Sequence, residues 1–374
     1  MRRKNSGGKT AERKQRPEQT KKAADSGELF DAMDTDELGK HISALGNVTD
    51  AYPAKISGHC RDLLKSPGDP LWRQFVPSPE ELSLECGLED DGLGEKAQSP
   101  CPGLIHRYPD RVLVLAASDC FSYCRFCFRK RIWKRGSSRK DLTGKELSDI
   151  SSYLESHPEV KDVLVSGGDP LTLPDERLLE ILQTLSASGK TETLRLCTRA
   201  PLSCPERITD ALTDALGKIR GLWFVTHFNH PDELDERSLS ACRRIRLRGI
   251  PVLNQTVLLA GVNDDAETLK RLFRKLVSER IKPHYLFSAD PIRGTAHFAV
   301  PVTRGLEILR SLRAGLSSIA TPTYAIDLPS GGGKVPLQPD YSCGEDGVYE
   351  GIDGRRIFHP LARKHGIPGV CRHG

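Results

Sequence analysis

The sequence predicts an α/β protein built around a partial (β/α)6 barrel. From Arg111 onward, six short apolar runs rich in β-branched residues recur, separated by stretches of helical length, and polar residues collect at the far end of each run. That alternation implies parallel strands joined by crossover helices. In a barrel of such units the strand ends face one mouth, where functional side chains gather. An open, doubly wound sheet is the alternative with the same alternation.

Ahead of the barrel, residues 1–26 hold nine Lys or Arg against three acids, so of the net +5 this basic tail carries +6 and the rest of the chain −1. So charged a stretch, poor in apolar residues, is expected to be disordered. It has no apolar run behind its arginines, as a secretory signal would, and the longest clean apolar run, Val112 to Ala117, is far short of the ~18 residues of a membrane span. A cytoplasmic protein is expected. In that setting eleven cysteines argue for reduced thiols and ligands over disulfides. Residues 27–105 alternate short helical patterns (GELFDAMDTDELGKHISAL, GHCRDLLK) with Pro- and Gly-rich breaks, which reads as a helical N-terminal appendage.

Residues 106–300 carry the barrel, as the runs RVLVLAAS, KDVLVSGG, TLRLCTR, LWFVTHFN, PVLNQTVLL and PHYLFSA. Cys120 follows the first run, Ser166-Gly167-Gly168-Asp169 the second and Arg199 the third. His227 and Asn229 follow the fourth, Gln255 lies on the fifth, and Asp290 closes the sixth. Residues 301–374 form a C-terminal segment containing SGGGK.

The stretch CFSYCRFCFRK places Cys120, Cys124 and Cys127 in one short loop, while the other eight cysteines are scattered singly. Spacings of four and three let a compact loop aim three thiolates at one face of a four-iron, four-sulfur cube, leaving one iron open for substrate or cofactor chemistry. Arg125, Arg129, Lys130 and Arg131 are expected to favour the thiolates and offset the charge of the cluster. A structural zinc is the alternative, but it wants four closed ligands, and the chain shows no second Cys pair.

A C-x-x-x-C-x-x-C motif after the first barrel strand resembles the signature of radical S-adenosylmethionine (SAM) enzymes, and SGGDP, Ser166 to Pro170, resembles their glycine motif at the end of the second strand. SGGDP could equally be an ordinary strand-to-helix turn. The longer strings DPLWRQFVPS, PGLIHRYPDRVLVL, THFNHPDELDE, LNQTVLLAGVNDD and IDLPSGGGKVPL, over roughly residues 68–345, are similar to the lysine 2,3-aminomutase family. That resemblance implies a TIM-like radical SAM barrel, the helical appendage and a C-terminal segment that binds pyridoxal phosphate (PLP). The implied cofactors are a 4Fe-4S cluster on the three cysteines, SAM and PLP.

The resemblance also assigns roles residue by residue. Lys334 matches the lysine that carries PLP, and its three preceding glycines let backbone approach a flat ring. A P-loop is excluded, because Leu328 and Val335 stand where Gly and Ser or Thr would be needed. Arg107 and Arg111 match arginines for the PLP phosphate, with a surface salt-bridge pair as the alternative. Ser166, Gly167, Gly168 and Asp169, with His227 and Gln255, are the expected contacts to SAM. Arg129 matches the residue that grips the α-carboxylate of the amino acid. Asp290 and Asp327 match two acids that hold a lysine ε-ammonium, since burying an ammonium demands opposite charge; Asp290 before Pro291 could instead cap a helix.

The implied reaction converts L-lysine to β-lysine, with an electron donor such as flavodoxin or ferredoxin as partner and assembly into a homo-oligomer allowed. CRFCFRKR reads more like the branch that makes β-lysine for elongation factor P, and a related aminomutase for another amino acid is a further alternative. Only Cys343 and Cys371 remain where some relatives carry a C-terminal zinc cluster. A nucleic-acid-binding protein using the basic tail and a structural metal is the reading from another class. The near-neutral body and lack of a basic aromatic groove argue against it.

Overall fold

A computed structural model of the chain describes residues 45–83, 87–133, 137, 140–359 and 362. The basic tail, the start of the appendage, Cys86 and Cys371 lie outside the described residues.

One sheet organises the molecule, and its strands follow chain order: β1 (Leu104–Tyr108), β2 (Arg111–Ala117), β3 (Asp162–Gly167), β4 (Thr193–Cys197), β5 (Leu222–His227), β6 (Val252–Leu258), β7 (Lys282–Ser288), β8 (Thr323–Leu328) and β9 (Gly333–Pro336). Strands β2 to β8 pair in parallel, whereas β1 on β2 and β9 on β8 are antiparallel flanks. The six expected runs are β2 to β7. The sheet gains β8 beyond them, and β9 folds back on β8 to set Lys334 opposite Asp327.

Six helices make the crossovers: α1 (Gly144–Ser156), α2 (Asp175–Ala187), α3 (Asp210–Leu216), α4 (Glu236–Leu247), α5 (Ala266–Ser278) and α6 (Val302–Gly315). Their starts are written in the sequence. Thr143 and Glu146 form a reciprocal capping box at α1, and Thr209, Asp235 and Asp265 cap α3, α4 and α5 through backbone N–H groups three residues on. Along α5, Leu269, Leu272, Phe273 and Leu276 recur at helical spacing and are buried.

Alternation along the strands sorts the two faces of the sheet. Val112, Val114, Val163, Val165, Leu194, Leu196 and Phe224 are buried with the helix side chains in one core. The intervening residues, among them Ser166, Cys197, His227 and Gln255, are half-buried and face the barrel interior.

The segment before the sheet wraps the barrel mouth. Its helix Pro70–Phe75 starts at Asp69, whose carboxylate accepts from Leu71 and Trp72. Backbone bonds run from Tyr123 N to Lys55 O and from Arg125 N to Gln74 O, each 2.8 Å. Further along, Arg293 N donates to Glu89 O and Ser330 N to Gly92 O, so residues 89–92 bridge the loops after β7 and β8. Among the described residues no helix is long and apolar enough to cross a membrane.

Candidate active site

The three clustered thiols sit in the loop after β2. Burial pushes the Cys120 thiol well up, helped by Asp169 and the other two sulfurs, and burial and Cys124 raise Cys127. Thiols that resist ionising together are relieved by a positively charged metal body, which displaces their protons to solvent as it binds. Among the described residues no three His, Cys, Asp or Glu side chains gather closely enough to hold a single metal ion. Three thiols from one loop are a donor set that fits an iron-sulfur cube held through three ligands.

The glycine turn after β3 supports that loop. A Cβ on Gly168 would lie 2.2 Å from Asp119 O, and one on Gly167, at φ +118°, would lie 2.5 Å from Ala117 O. Only glycine lets the two strand ends approach so closely. Asp169 N donates to Asp119 O, and the Asp169 carboxylate accepts from Thr198 Oγ1 (2.6 Å), Arg199 N (2.9 Å) and Leu171 N (3.0 Å). Asp169 thereby caps the single 3-10 turn Pro170–Thr172, as an ordinary strand-to-helix turn would.

The side chains of the cations in the cysteine loop are paired with acids, while Arg129 also favours the Cys127 thiolate through its charge and through its backbone N–H, 3.4 Å from the sulfur. Arg125 and Lys130 are buried against Glu81 and Arg129 against Glu95, and the half-buried Arg131 pairs with Glu95 and Asp91. These acids come from the segment before the sheet, so the loop's charge is spent on anchoring it. Against the cost of its own burial, Glu95 is held down to about 2 by Arg129 and Arg131. Its carboxylate takes Nε and Nη2 of Arg129 at 3.1 and 2.7 Å, leaving Nη1 3.5 Å from Ser166 Oγ. The guanidinium that does reach a thiol is Arg199, with Nη1 2.8 Å from Cys124 Sγ.

A second group of residues assembles around β8 and β9. Lys334 Nζ donates to Asp327 Oδ2 at 2.7 Å and lies 4.2 Å from the centroid of the Phe287 ring, which stacks with Tyr285. Lys334 N donates to the hydroxyl of Tyr108 (2.7 Å), and the Arg111 guanidinium covers the Tyr108 ring at 4.0 Å. Arg107 donates to Gln98 Oε1 and Leu93 O, and its Nη1 is 3.7 Å from Asp327 Oδ1. Lys334, Arg107 and Arg111 therefore meet around Tyr108 and Asp327. Gly333, at φ +82°, packs against the Tyr108 ring, so the glycine run brings bare backbone to an aromatic face. Two guanidiniums, a half-buried lysine and flanking rings fit a flat, anionic cofactor such as PLP.

Asp290 follows β7. No helix begins behind it: its carbonyl instead accepts from Ile292 N and Thr295 Oγ1. Burial and the nearby Asp327 carboxylate raise Asp290 to about 7. Asp327 Oδ1 is buried and accepts no hydrogen bond. Two close acids, with one oxygen that accepts no hydrogen bond and has Arg107 Nη1 at 3.7 Å, make a place for a further cation.

His227 ends β5 beside Gln255 in register. Burial and then Arg199 push its imidazole down to about 3, so it is neutral. Asn229 Oδ1 accepts from Val257 N and its amide donates to Gln74, so His227 Nε2 carries the proton it gives to Asn229, 2.9 Å away. Tyr108, Glu95 and the side chain of Arg199 were not anticipated as site residues. Each acts through a partner distant in sequence.

The sequence pattern of the Radical SAM superfamily matches residues 116–273. The chain is 41% identical over 335 residues to L-lysine 2,3-aminomutase of Methanococcus maripaludis, covering 87% of this chain and 75% of that one. It is 42% identical over 278 residues to L-lysine 2,3-aminomutase of Acetoanaerobium sticklandii, covering 74% and 67% respectively. Glutamate 2,3-aminomutase of Clostridioides difficile is 39% identical over 274 residues, covering 73% of this chain and 64% of that one.

Proposed function

This chain belongs to the lysine 2,3-aminomutase family of radical SAM enzymes, and on that premise we propose that it moves the 2-amino group of L-lysine to C3, giving β-lysine. The carboxylate pair Asp290 and Asp327 carries the choice of lysine. Burial and mutual repulsion hold a proton on Asp290 near neutral pH, while Asp327 keeps an acceptor oxygen unused. An ε-ammonium relieves both conditions, whereas the side-chain carboxylate of glutamate brings a further negative charge beside Asp327.

When bound, a 4Fe-4S cluster on Cys120, Cys124 and Cys127 together with SAM supplies hydrogen-atom abstraction, and PLP on Lys334 supplies a conjugated ring that spreads unpaired spin. The protein's residues bind, orient and shield. Arg129, braced by Glu95, offers its remaining Nη1 arm to the α-carboxylate of the substrate. Arg107 and Arg111 hold the phosphate of the cofactor beside Tyr108. Ser166, Gly167, Gly168 and Asp169 present backbone to SAM, with neutral His227 and Gln255 alongside. The segment across the mouth keeps water from the reacting atoms. The setting we propose is the cytoplasm, with flavodoxin or ferredoxin as the reductant.

The test is anaerobic incubation of the reconstituted enzyme with SAM, PLP, reductant and a panel of single amino acids. β-Lysine formation, with other amino acids slow or inert, supports the reading. Rearrangement of another amino acid alone overturns it.

A further inference from the structure

Arg199 is the least expected cation near the cysteines. It stands 75 residues from Cys124 in sequence, yet its Nη1 is 2.8 Å from the Cys124 sulfur. Its other donors are fixed as well. Nε donates to His227 O at 3.2 Å, and Nη2 donates to Gln74 Oε1 at 2.7 Å and to the Glu233 carboxylate at 3.3 Å. The backbone N–H of Arg199 is pinned to Asp169 on the glycine turn. Phe75 and Phe126 lie 4.9 and 5.3 Å from the guanidinium carbon.

This cation is 8% exposed, and its anionic compensation is incomplete. Glu233, fully buried, also accepts from Gln74 Nε2 at 2.6 Å and Asn229 N at 2.9 Å, and it meets Arg199 only at the longer distance. The Cys124 sulfur is the closer site for negative charge. By contrast, Arg125, Lys130, Arg129 and Arg131 are each paired with Glu81 or Glu95.

We propose that Arg199 is a positioning residue for the cluster: its guanidinium donates a charge-assisted hydrogen bond to the Cys124 thiolate and raises the reduction potential of the cluster held there, with Glu233 setting the strength of that effect. The inference rests on the assignment of the three cysteines to a cluster. Its physical basis is general. Reduction adds negative charge to the cluster and its sulfurs, so a fixed hydrogen-bonding cation stabilises the reduced form more than the oxidised one. Gln74 and Phe75 come from the helix Pro70–Phe75, so the segment before the sheet also takes part in tuning.

The experiment is a redox titration, followed by electron paramagnetic resonance, of the reconstituted full-length protein and of Arg199→Gln, Arg199→Lys and Glu233→Gln. Iron content is measured for each. Arg199→Gln is expected to lower the reduced-to-oxidised ratio at a given potential at least tenfold, or ~59 mV for one electron. Arg199→Lys should fall between it and the parent, and Glu233→Gln should shift the other way, because the guanidinium then faces less competing charge. An Arg199→Gln protein with full iron and an unchanged potential overturns the proposal. If that variant holds no iron, the Lys and Glu233→Gln shifts decide: opposite signs support the proposal, and equal signs or no shift overturn it. A parent protein that binds no iron and sulfide defeats the cluster assignment itself, an outcome distinct from a failure of the part given to Arg199.

Discussion

Asp327 and Lys334 face one another across the antiparallel pair of β8 and β9, their side chains 2.7 Å apart. The chain's own ammonium thus pairs with the carboxylate that the proposed substrate would need. Asp327→Asn removes a charge from a mostly buried group and leaves an incoming ε-ammonium short of a partner. A loss of roughly 2–5 kcal/mol is expected for such a pair. Lysine turnover by the variant should fall more than about tenfold while reductive cleavage of SAM continues. Normal lysine kinetics would exclude the proposed pocket.

Asp290, raised to about 7 by burial and by Asp327, predicts how binding depends on pH. Below that value the carboxyl is mostly protonated, and pairing with an ammonium requires losing the proton. Lysine affinity should therefore rise with pH between about 6 and 8, by up to tenfold per unit on the acid side, then level off until the ammonium itself titrates near ~10. Isothermal titration with the cofactor-loaded enzyme checks the slope. Asp290→Asn should flatten the profile and weaken lysine turnover more than about tenfold. A variant with the parent's slope would show that another group titrates.

Glu95 braces Arg129 and Arg131 at once, and removing its charge strands the buried Arg129 guanidinium and leaves the half-buried Arg131 with Asp91. Glu95→Gln should cost about 3–5 kcal/mol of stability. Because Glu95 is depressed to about 2 from an ordinary 4.5, its contribution is complete above pH ~4.5 and is lost as pH falls toward ~2. Denaturant melts across that range should show the parent losing stability toward low pH more steeply than the variant. If Arg129 holds the α-carboxylate, KM should also rise by a similar factor for every amino acid that the enzyme accepts.

Cys124→Ala deletes a proposed cluster ligand from a loop anchored by Glu81 and Glu95. The circular dichroism spectrum should be retained, while 5′-deoxyadenosine formation from SAM drops to background. Continued formation at the parent's rate would remove Cys124 from the ligand set.

The barrel was legible because its interior strands are buried on their helix side by β-branched residues, which leaves a strong local pattern in β2 to β7. β8 and β9 escaped the count of six because Asp327 interrupts the apolar character of TYAIDL, and GKVP has only four residues and carries Lys334. The three cysteines, the glycine turn and Lys334 could be read locally, since each depends on spacing within a few residues. The cations around the cysteines could not. Their partners, Glu81 and Glu95, lie some 34 to 49 residues upstream, and nothing in CFRKR shows that its charge is spent on them. Arg199 was visible as a polar residue at a strand end, but its contact with Cys124 exists only once the barrel brings β4 beside the loop after β2.

The most direct test of lysine aminomutation is a competition. Reconstituted enzyme with SAM, PLP and reductant is given equal concentrations of L-lysine and L-glutamate under anaerobic conditions, and the β-amino products are quantified by mass spectrometry. The paired acids predict β-lysine in at least hundredfold excess, matching the ~3 kcal/mol that separates pairing an ammonium from adding a carboxylate beside Asp327. Equal products, or an excess of β-glutamate, would contradict it.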